Sequence, residues 1–267
     1  MNINEVITGD RLQASFALNP DITYIKLDTL VHDAPIMWRG QVHQAKPSKV
    51  WVSGHSDYPV TKYLFDRYGH NCKYWFATNI EHEDPKLIPI PIGITNYTQE
   101  SHLHPIYGNL QIMAQAAAEP RPILQKILYV NFSPDTYAVE RRPLLERLSR
   151  GENSSWVTIG KIENSMEGRM QFLRDIRAHE FVACPRGNGI DTHRTWETLY
   201  MGSIPVVQRC TAMNAYADLP ICFIDDWSEV TPDFLAAEGS RIGKLNWNMD
   251  KTKLSYWVQK VFEALDK

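Results

Sequence analysis

The sequence predicts an α/β fold in which two lobes each contain a parallel β-sheet. Short apolar runs of strand length alternate with amphipathic helical segments along most of the chain, a pattern typical of parallel sheets that carry helices on both faces. The segment Glu119-Pro-Arg-Pro122 interrupts this alternation and has the composition of a linker. We therefore predict a first lobe over residues 1–119, a second lobe over residues 120–250, and an amphipathic helix within residues 251–267 that could join the first lobe.

The elements of the first lobe follow a weakly patterned segment that ends near Pro20. Strands are predicted over residues 22–27, 49–53 and 74–79, and helices over residues 60–68 and 111–118. The run Leu87-Ile-Pro-Ile-Pro-Ile-Gly93 is also apolar, but its two prolines cannot donate hydrogen bonds to a neighbouring strand. We predict an edge strand or an extended connector there.

The second lobe has the same alternation. A helix capped by Asp135 or Thr136 precedes a second helix over residues 166–178. The predicted strands cover residues 127–133, 156–159, 181–184, 204–207 and 221–224.

The unit from Phe181 to Val207 consists of a strand, a glycine-containing loop, a helix and another strand. Asp191 or Thr192 opens the helix and Gly202 closes it. A helix N-terminus presents backbone N–H groups and the positive end of the helix dipole, so this junction suits an anionic ligand. The loop and cap residues predicted to contribute are Arg186, Gly187, Asn188, Gly189 and Asp191.

One side of this helix is polar. At about 100° per residue, His193, Arg194 and Glu197 share that side. Arg186 would add a forked donor for phosphate, and Glu197 could accept hydrogen bonds from two adjacent sugar hydroxyls. In the alternative interpretation, Arg194 and Glu197 form an ordinary i,i+3 ion pair on a solvated face.

Polar residues also follow a neighbouring strand of the second lobe. Asn131, Ser133 and Arg141 could line the same crevice as the loop. Alternatively, Arg141 is a surface arginine that sits near Glu140 and Glu146.

The first lobe carries a second candidate group. The predicted strand over residues 49–53 runs into Gly54-His-Ser-Asp57. Ligands of open α/β sheets bind beyond the carboxyl ends of the strands, so we expect His55 and Asp57 to face a crevice.

The run Cys-Pro-Arg-Gly-Asn-Gly-Ile-Asp-Thr-His-Arg, which ends at Arg194, is followed by Trp-Glu-Thr-Leu-Tyr-Met-Gly-Ser-Ile-Pro-Val-Val, which ends at Val207. Together they resemble the C-terminal, nucleotide-sugar-binding half of exostosin-like glycosyltransferases, and the likeness is looser over the rest of the second half. The resemblance implies an inverting enzyme with two Rossmann-like lobes in a GT-B-like arrangement. It also implies that the donor site lies in the interlobe cleft, with Arg186 and Glu197 at the donor.

Two classes of function are compatible with these features. The first is a glycosyltransferase that moves a sugar from a nucleotide-diphosphate sugar, such as the UDP-sugar UDP-xylose, to a hydroxyl of a glycan acceptor. The second is a non-catalytic protein that binds a nucleotide sugar or a glycan. A nucleotide-sugar epimerase would require a complete dinucleotide fingerprint, and Gly187 and Gly189 supply only half of one.

Only the enzyme needs a proton acceptor in the first lobe, because an inverting transfer deprotonates the acceptor hydroxyl as the new bond forms. Asp57 is the first candidate, since a partly desolvated carboxylate at a strand end would have a raised pKa. His55 is the second, because the pKa of imidazole is already near neutral. In the structural alternative, Asp57 only caps the following helix.

No metal and no cofactor are expected. The chain contains no Asp-x-Asp triplet, and His102 and His104 have no further ligands spaced nearby. Cys184 is predicted to end a buried strand, and position 190 is isoleucine where a phosphatase loop would carry arginine. A catalytic thiol is therefore not expected.

The chain is expected to be a cytoplasmic protein of bacterial or viral type. Its first residues contain neither a basic region nor an apolar run of signal length, and no stretch approaches 18 apolar residues. Four scattered cysteines indicate reduced, buried thiols. A net charge of -3 argues against a nucleic-acid surface. This differs from the animal and plant exostosin enzymes, which are typically membrane-anchored.

Overall fold

A computed structural model describes residues 1–38 and 40–267. In chain order the strands are β1 (Ile22–Lys26), β2 (Ile36–Trp38), β3 (Gln41–His43), β4 (Val50–Gly54), β5 (Tyr74–Ala77), β6 (Leu87–Pro89), β7 (Leu128–Val130), β8 (Val157–Ile159), β9 (Phe181–Ala183), β10 (Ile204–Gln208) and β11 (Cys222–Ile224).

The α-helices alternate with these strands. They are α1 (Gly9–Phe16), α2 (Asp28–Val31), α3 (Lys62–Tyr68), α4 (His104–Tyr107), α5 (Leu110–Ala118), α6 (Ala138–Leu148), α7 (Met166–Arg177), α8 (His193–Tyr200), α9 (Thr211–Asn214), α10 (Pro232–Gly243) and α11 (Leu254–Leu265). Short 3-10 helices span Ile3–Glu5, Gly69–Asn71, Gly151–Asn153, Trp227–Glu229 and Met249–Thr252.

The strands form two parallel sheets and one antiparallel hairpin. The first sheet has the order β1-β4-β5-β6, and the second has the order β11-β10-β9-β7-β8. Every pairing within these two sheets is parallel, whereas β2 and β3 pair only with each other and run antiparallel. The predicted α/β fold with parallel sheets flanked by helices is therefore confirmed.

The double-proline run forms the edge of the first sheet. Pro89 of β6 lies opposite Ala77 of β5, and Ile90 donates its N–H to the carbonyl of Ala77 at 2.9 Å. Because β6 has a neighbour on one side only, proline removes no bond to a second strand. The prediction of an edge strand is confirmed.

The segment before Pro20, which shows little pattern in the sequence, contains a helix. Thr8 caps α1 by accepting a hydrogen bond from the N–H of Arg11 at 3.2 Å, and Leu12 and Phe16 are buried. The β2–β3 hairpin was not predicted either. Both elements are short, and each is stabilised by packing on the first sheet rather than by its own pattern.

Two predicted helix caps are placed differently. Tyr137, in the left-handed region with φ of 57°, precedes α6, and Asp135 instead pairs with Arg142 at 2.7 Å. Thr61 caps α3 through its side chain, so Asp57 is not the cap of this helix.

One apolar cluster extends across both sheets. It includes Val52 and Phe76 from the first sheet and Tyr129 and Val182 from the second. Helix α11 contributes to the same cluster and packs against α1 and β4. The two sheets therefore share a continuous core, and the last helix returns to the first sheet.

Trp257 on α11 is a direct test of this shared core. It is 4% exposed, and its indole donates to the carbonyl of Lys251 at 2.8 Å. We expect Trp257→Ala to lower the free energy of unfolding by about 3–5 kcal/mol, the usual cost of removing a buried aromatic ring. Urea unfolding curves measure this, with the more exposed Phe262→Ala on the same helix as the control. Equal, small losses for both variants would contradict the assignment of α11 to the core.

Candidate functional site

Two cavities open at the C-terminal ends of the parallel strands. The larger cleft, about 620 Å³, lies beyond β1, β4 and β5 and beside the loop that precedes α8. Its lining includes Tyr24, Lys26, Trp38, His55, Asp57, Asn96, Asn188 and His193. The predicted candidates of the first half and two of the loop-helix candidates therefore meet in one cleft.

The smaller cavity, about 410 Å³, lies beyond β9 and β10. Arg186 lines it, with its guanidinium carbon 4.2 Å from the ring centre of Tyr137. Arg186 also donates weakly to the carbonyl of Asn188 at 3.5 Å. The loop from Arg186 to Asn188 thus separates the two cavities, with Arg186 on one side and Asn188 on the other.

His55 is held at the inner wall of the larger cleft. Its Nδ1 lies 2.6 Å from the hydroxyl oxygen of Tyr24, and its Nε2 lies 2.9 Å from Oδ1 of Asp10. The side chain is 4% exposed, and the backbone of His55 is in the left-handed region with φ of 55°. Such a conformation costs about 1–3 kcal/mol and is found where the surroundings fix it.

Asp57 occupies a different environment. It lies in the same cleft but is exposed to solvent. The expected desolvation of its carboxylate is therefore wrong, since the loop turns this side chain outward. Of the two base candidates, only His55 is enclosed.

Asp191 is buried at the start of α8 and joins the two halves of the chain. Its carboxylate accepts hydrogen bonds from the N–H of Ile92 at 2.8 Å and from the indole of Trp196 at 2.8 and 2.9 Å. Its own N–H donates to Oδ1 of Asn79 at 2.8 Å. Burial raises the pKa of Asp191 to about 7, although these hydrogen bonds oppose the shift. Asp191 is therefore a structural tie and not an open ligand for an anion.

The two glycines of the loop allow close packing. A Cβ on Gly189 would lie 2.9 Å from Nδ2 of Asn79, and the N–H of Gly187 donates to the carbonyl of Gly189 at 3.0 Å. His193 is also used, because its Nδ1 lies 2.8 Å from the carbonyl of Gly93. The N–H of Gly187 is therefore paired within the loop and is not an open donor for an anion.

Glu197 lies inside the protein rather than on the rim of a cavity. It is 4% exposed, and its Oε1 lies 2.7 Å from Nη1 of Arg169, whose side chain is fully buried. Arg194 approaches the other oxygen at 3.5 Å. The predicted open contact with sugar hydroxyls does not describe this position, and neither does the alternative of a solvated ion pair. The reason is that Glu197 is buried against Arg169.

Two arginines, Arg169 and Arg194, contact this carboxylate, and Arg141 lies close enough to Arg194 for their charges to interact. We call Arg141, Arg169 and Arg194 the arginine cluster. Arg194 stacks on Phe172 with its guanidinium carbon 4.4 Å from the ring centre. Burial lowers the pKa of Arg141 to about 10, and the nearby charge of Arg194 adds to this. Arg169 and Arg194 share the one carboxylate of Glu197, so their pairing leaves an excess of positive charge.

Several guanidinium nitrogens of the cluster form no hydrogen bond within the described residues. Nε and Nη1 of both Arg169 and Arg194 are buried and form no hydrogen bond. The contact of Arg169 with Glu197 is short but lacks hydrogen-bond geometry. Buried donors without an acceptor are costly, and a bound anion would supply acceptors and balance the charge.

Arg141 holds the loop after β9 by hydrogen bonds to its backbone carbonyls. It donates to the backbone carbonyls of Arg186 at 2.8 Å, Pro185 at 3.0 Å and Ser133 at 3.3 Å. It is therefore neither a surface arginine nor an open ligand, since the carbonyls of two segments occupy its donors.

Asn131 and Ser133 also act on neighbouring protein groups. Asn131 is 6% exposed and donates to the hydroxyl of Tyr129 at 2.9 Å and to the carbonyl of Lys161 at 3.1 Å. The hydroxyl of Ser133 accepts from the N–H of Asp135 at 3.4 Å. Both residues therefore stabilise the segment that follows β7, from which the carbonyl of Ser133 contacts Arg141.

Four residues that shape the site were not predicted from the sequence: Asp10, Tyr24, Asn79 and Arg169. Asp10 and Arg169 lie on helices distant in sequence from their partners, and Tyr24 is a strand residue. The Thr8 cap, followed by leucine and phenylalanine at helical spacing, is the one signal that could have identified α1.

Cys184 directly follows β9, one residue beyond the observed end of the strand, and is buried. Burial raises the pKa of its thiol to about 12, so it is protonated at neutral pH. Cys72 and Cys222 are likewise buried and free, and Cys210 is free and half-buried.

A comparison with protein-family models finds no match to this chain, and a comparison with curated proteins also finds none. Across residues 1–38 and 40–267, no helix has both the length and the apolar character needed to cross a membrane. In the same residues, histidine, cysteine and carboxylate side chains form no group of three or more that could hold a metal ion.

The pKa of Asp191 predicts a pH-dependent stability. Because its pKa in the folded state, about 7, lies above the unfolded value of about 3.9, the folded state binds more protons between these values. Its contribution to stability therefore falls as pH rises toward 7. Relative to Asp191→Asn, the wild type should lose up to about 1.4 kcal/mol per pH unit in this window and nothing further above it.

Urea unfolding of both proteins at a series of pH values measures this difference, in which the titration of all other groups cancels. A wild-type advantage that grows with pH would show that the N–H donors outweigh burial and that Asp191 is ionised in the fold.

Proposed function

We propose that this protein is an inverting glycosyltransferase with a GT-B-like arrangement of two Rossmann-like lobes. It would transfer a sugar from a nucleotide-diphosphate sugar, a UDP-sugar such as UDP-xylose, to a hydroxyl of a glycan acceptor. The observation that carries the proposal is the excess of positive charge of Arg169 and Arg194 over Glu197, together with guanidinium nitrogens that form no hydrogen bond within the described residues.

A departing nucleoside diphosphate develops negative charge as the bond to the sugar breaks. Preorganised cations stabilise such charge without the cost of reorganising solvent. Within the cluster, solvent reaches Arg194, whose side chain is 20% exposed. Glu197, which is itself paired with Arg169, fixes the position of Arg194. In this proposal Arg194 and Arg186 contact the diphosphate, and Glu197 acts as a positioning residue.

The larger cleft suits the acceptor. Carbohydrates are bound by hydrogen-bonding side chains together with aromatic rings, and this cleft combines Trp38 and Tyr58 with Lys26, Asp28 and Asn96. It also contains His55, which Asp10 and Tyr24 hold on both ring nitrogens. We assign the base function to His55 and not to Asp57, which is exposed.

The alternative is a non-catalytic protein that binds a nucleotide sugar or a glycan. It would need the arginine cluster but not the enclosed histidine. The strained, hydrogen-bonded His55 favours the enzyme, because a binding protein gains nothing from holding imidazole in this state.

Arg194→Ala should weaken the binding of UDP by about 10- to 150-fold, which corresponds to about 1.5–3 kcal/mol for a hydrogen bond to a charged group. Arg186→Ala should have an effect of the same kind, and Arg194→Lys should retain part of the affinity. Isothermal titration calorimetry with UDP measures this.

The matched control is Arg142→Ala, because Arg142 is exposed and lies outside the arginine cluster. Unchanged UDP affinity in both Arg194→Ala and Arg186→Ala would reject the proposed donor site. Absence of UDP release from a panel of UDP-sugars with mixed oligosaccharide acceptors, despite tight UDP binding, would favour the non-catalytic alternative.

Turnover is expected to be independent of divalent metals, because arginines take the role that a metal has in other glycosyltransferases and the chain lacks an Asp-x-Asp triplet. UDP release should therefore persist within about twofold in excess EDTA. Loss of turnover with EDTA and its recovery on adding manganese would overturn this expectation.

A further inference from the structure

Arg186 reaches the smaller cavity without an ionic partner among the described residues. Its Nε is buried and forms no hydrogen bond, and its Nη2 donates only weakly, at 3.5 Å, to the carbonyl of Asn188. Glu81 and Glu140 line the same cavity, but Glu140 accepts a hydrogen bond from the indole of Trp227 at 3.0 Å. The charge of Arg186 is therefore not neutralised by a paired carboxylate within the described part of the chain.

The ring of Tyr137 takes the place of an ionic partner. The guanidinium carbon of Arg186 lies over this ring, 4.2 Å from its centre. A cation is attracted to the face of an aromatic ring at such distances. The contact orients the guanidinium, yet it neither consumes a hydrogen-bond donor nor cancels the positive charge. Arg186 is thus held in place and still able to bind an anion.

Tyr137 and Arg141 hold Arg186 from the same turn, at the start of α6. They are four residues apart, which places two side chains side by side on a helix, and the N–H of Arg141 donates to the carbonyl of Tyr137 at 3.2 Å. Nε of Arg141 donates to the backbone carbonyl of Arg186 at 2.8 Å. Arg141 therefore fixes the backbone of Arg186, and Tyr137 contacts its side chain.

The backbone of Tyr137 has a conformation that is unfavourable for a bulky residue. Its φ and ψ are both 57°, in the left-handed region where the Cβ of an L-residue crowds the following carbonyl. Asp33 and Asn79 also have positive φ, but short polar side chains adopt this conformation more readily. Tyr137 also provides no side-chain cap for α6. Such a conformation persists where the surroundings fix it, and the ring of Tyr137 is in contact with Arg186.

We propose that Tyr137 is a positioning residue of the donor site, whose ring holds the guanidinium of Arg186 in the orientation that contacts the diphosphate. The left-handed backbone at Tyr137 turns the ring toward the loop after β9. The inference rests on the proposed function, because it assigns a role in binding the donor of that reaction.

The first measurement is the affinity for UDP, by isothermal titration calorimetry. Tyr137→Ala should weaken binding by about 3- to 30-fold, which corresponds to the loss of a cation–π contact. Tyr137→Phe should restore the wild-type affinity to within about twofold, because a phenyl ring offers the same face to the guanidinium. A loss in Tyr137→Phe as large as that in Tyr137→Ala would contradict the inference.

The matched control is Tyr63→Ala. Tyr63 is an exposed tyrosine on α3 that also contacts an arginine, since its hydroxyl accepts from Nη1 of Arg67 at 3.0 Å. It lines neither the larger cleft nor the smaller cavity. This variant should bind UDP as the wild type does.

Tyr137→Gly separates the effect of the ring from that of the backbone. Glycine adopts the left-handed conformation without steric cost, so this variant should unfold at a higher urea concentration than Tyr137→Ala. Both variants lack the ring and should bind UDP equally weakly. Recovery of the wild-type affinity in Tyr137→Gly would show that the backbone at this position, and not the ring, supports binding, and the inference would be wrong.

A double-mutant cycle tests whether Tyr137 acts through Arg186. In the Arg186→Ala background, Tyr137→Ala should weaken UDP binding by less than about twofold, because the ring then has no guanidinium to hold. The same loss in both backgrounds would show that Tyr137 contacts UDP itself, for instance by stacking on uracil, and would overturn the positioning role.

The outcomes separate this inference from the proposed function. If Arg186→Ala weakens UDP binding and Tyr137→Ala does not, the role of Tyr137 is rejected while the proposed donor site stands. If UDP affinity is unchanged in both Arg186→Ala and Arg194→Ala, the donor site is rejected and the role of Tyr137 is rejected with it.

Discussion

The buried carboxylate of Asp191 is the interaction on which the arrangement of the site depends. It takes hydrogen bonds from the loop after β6 and from Trp196 on α8, while its own backbone N–H is bound by Asn79 after β5. The start of α8 is thereby held against the edge of the first sheet. Because Asn188 and His193 lie on either side of this tie, they are brought to the cleft formed by the first sheet.

The apolar core shared by the two sheets also fixes the orientation of α8. A helix fixed at one point could still rotate, but α8 is also held by Tyr200, whose hydroxyl accepts from the N–H of Ile7 at 3.0 Å and donates to the carbonyl of Thr252 at 2.8 Å. Trp196 and Leu199 of the same helix belong to the apolar cluster that spans both sheets. The proposed transfer between groups of the two sheets would require this kind of rigidity, since small displacements of reacting groups reduce rate strongly.

Burying the charged side chains of Arg169 and Glu197 costs free energy, and this cost bears on the function of the site. Arg169 and Glu197 are both taken out of water, and a buried ion pair of this kind seldom adds net stability over apolar side chains of equal volume. The chain nevertheless places a second cation, Arg194, beside them. An arrangement that gains little stability and leaves donors without acceptors has its simplest explanation in a bound anion, which is why we relate the cluster to a diphosphate.

The alternation of strands and helices and the edge position of the double-proline run could be predicted from the sequence. Both depend on local properties, namely apolar periodicity and the missing N–H of proline. The central strand-loop-helix-strand unit was identified for the same reason, including Thr192 as one of its two candidate caps.

The roles of the polar residues could not be predicted in this way. Glu197 has the same helical phase whether it faces solvent or Arg169, and Asp57 follows its strand as closely as His55 does. Their burial depends on contacts with residues far away in the chain: Arg169 covers Glu197, while Asp10 and Tyr24 enclose His55. The sequence by itself therefore determined the class of fold and the loop around which the site is built, because these follow from neighbouring residues. Only the tertiary structure decided which side chains are enclosed, which are paired and which remain open to a ligand, because desolvation and pairing arise between segments that the chain brings together on folding.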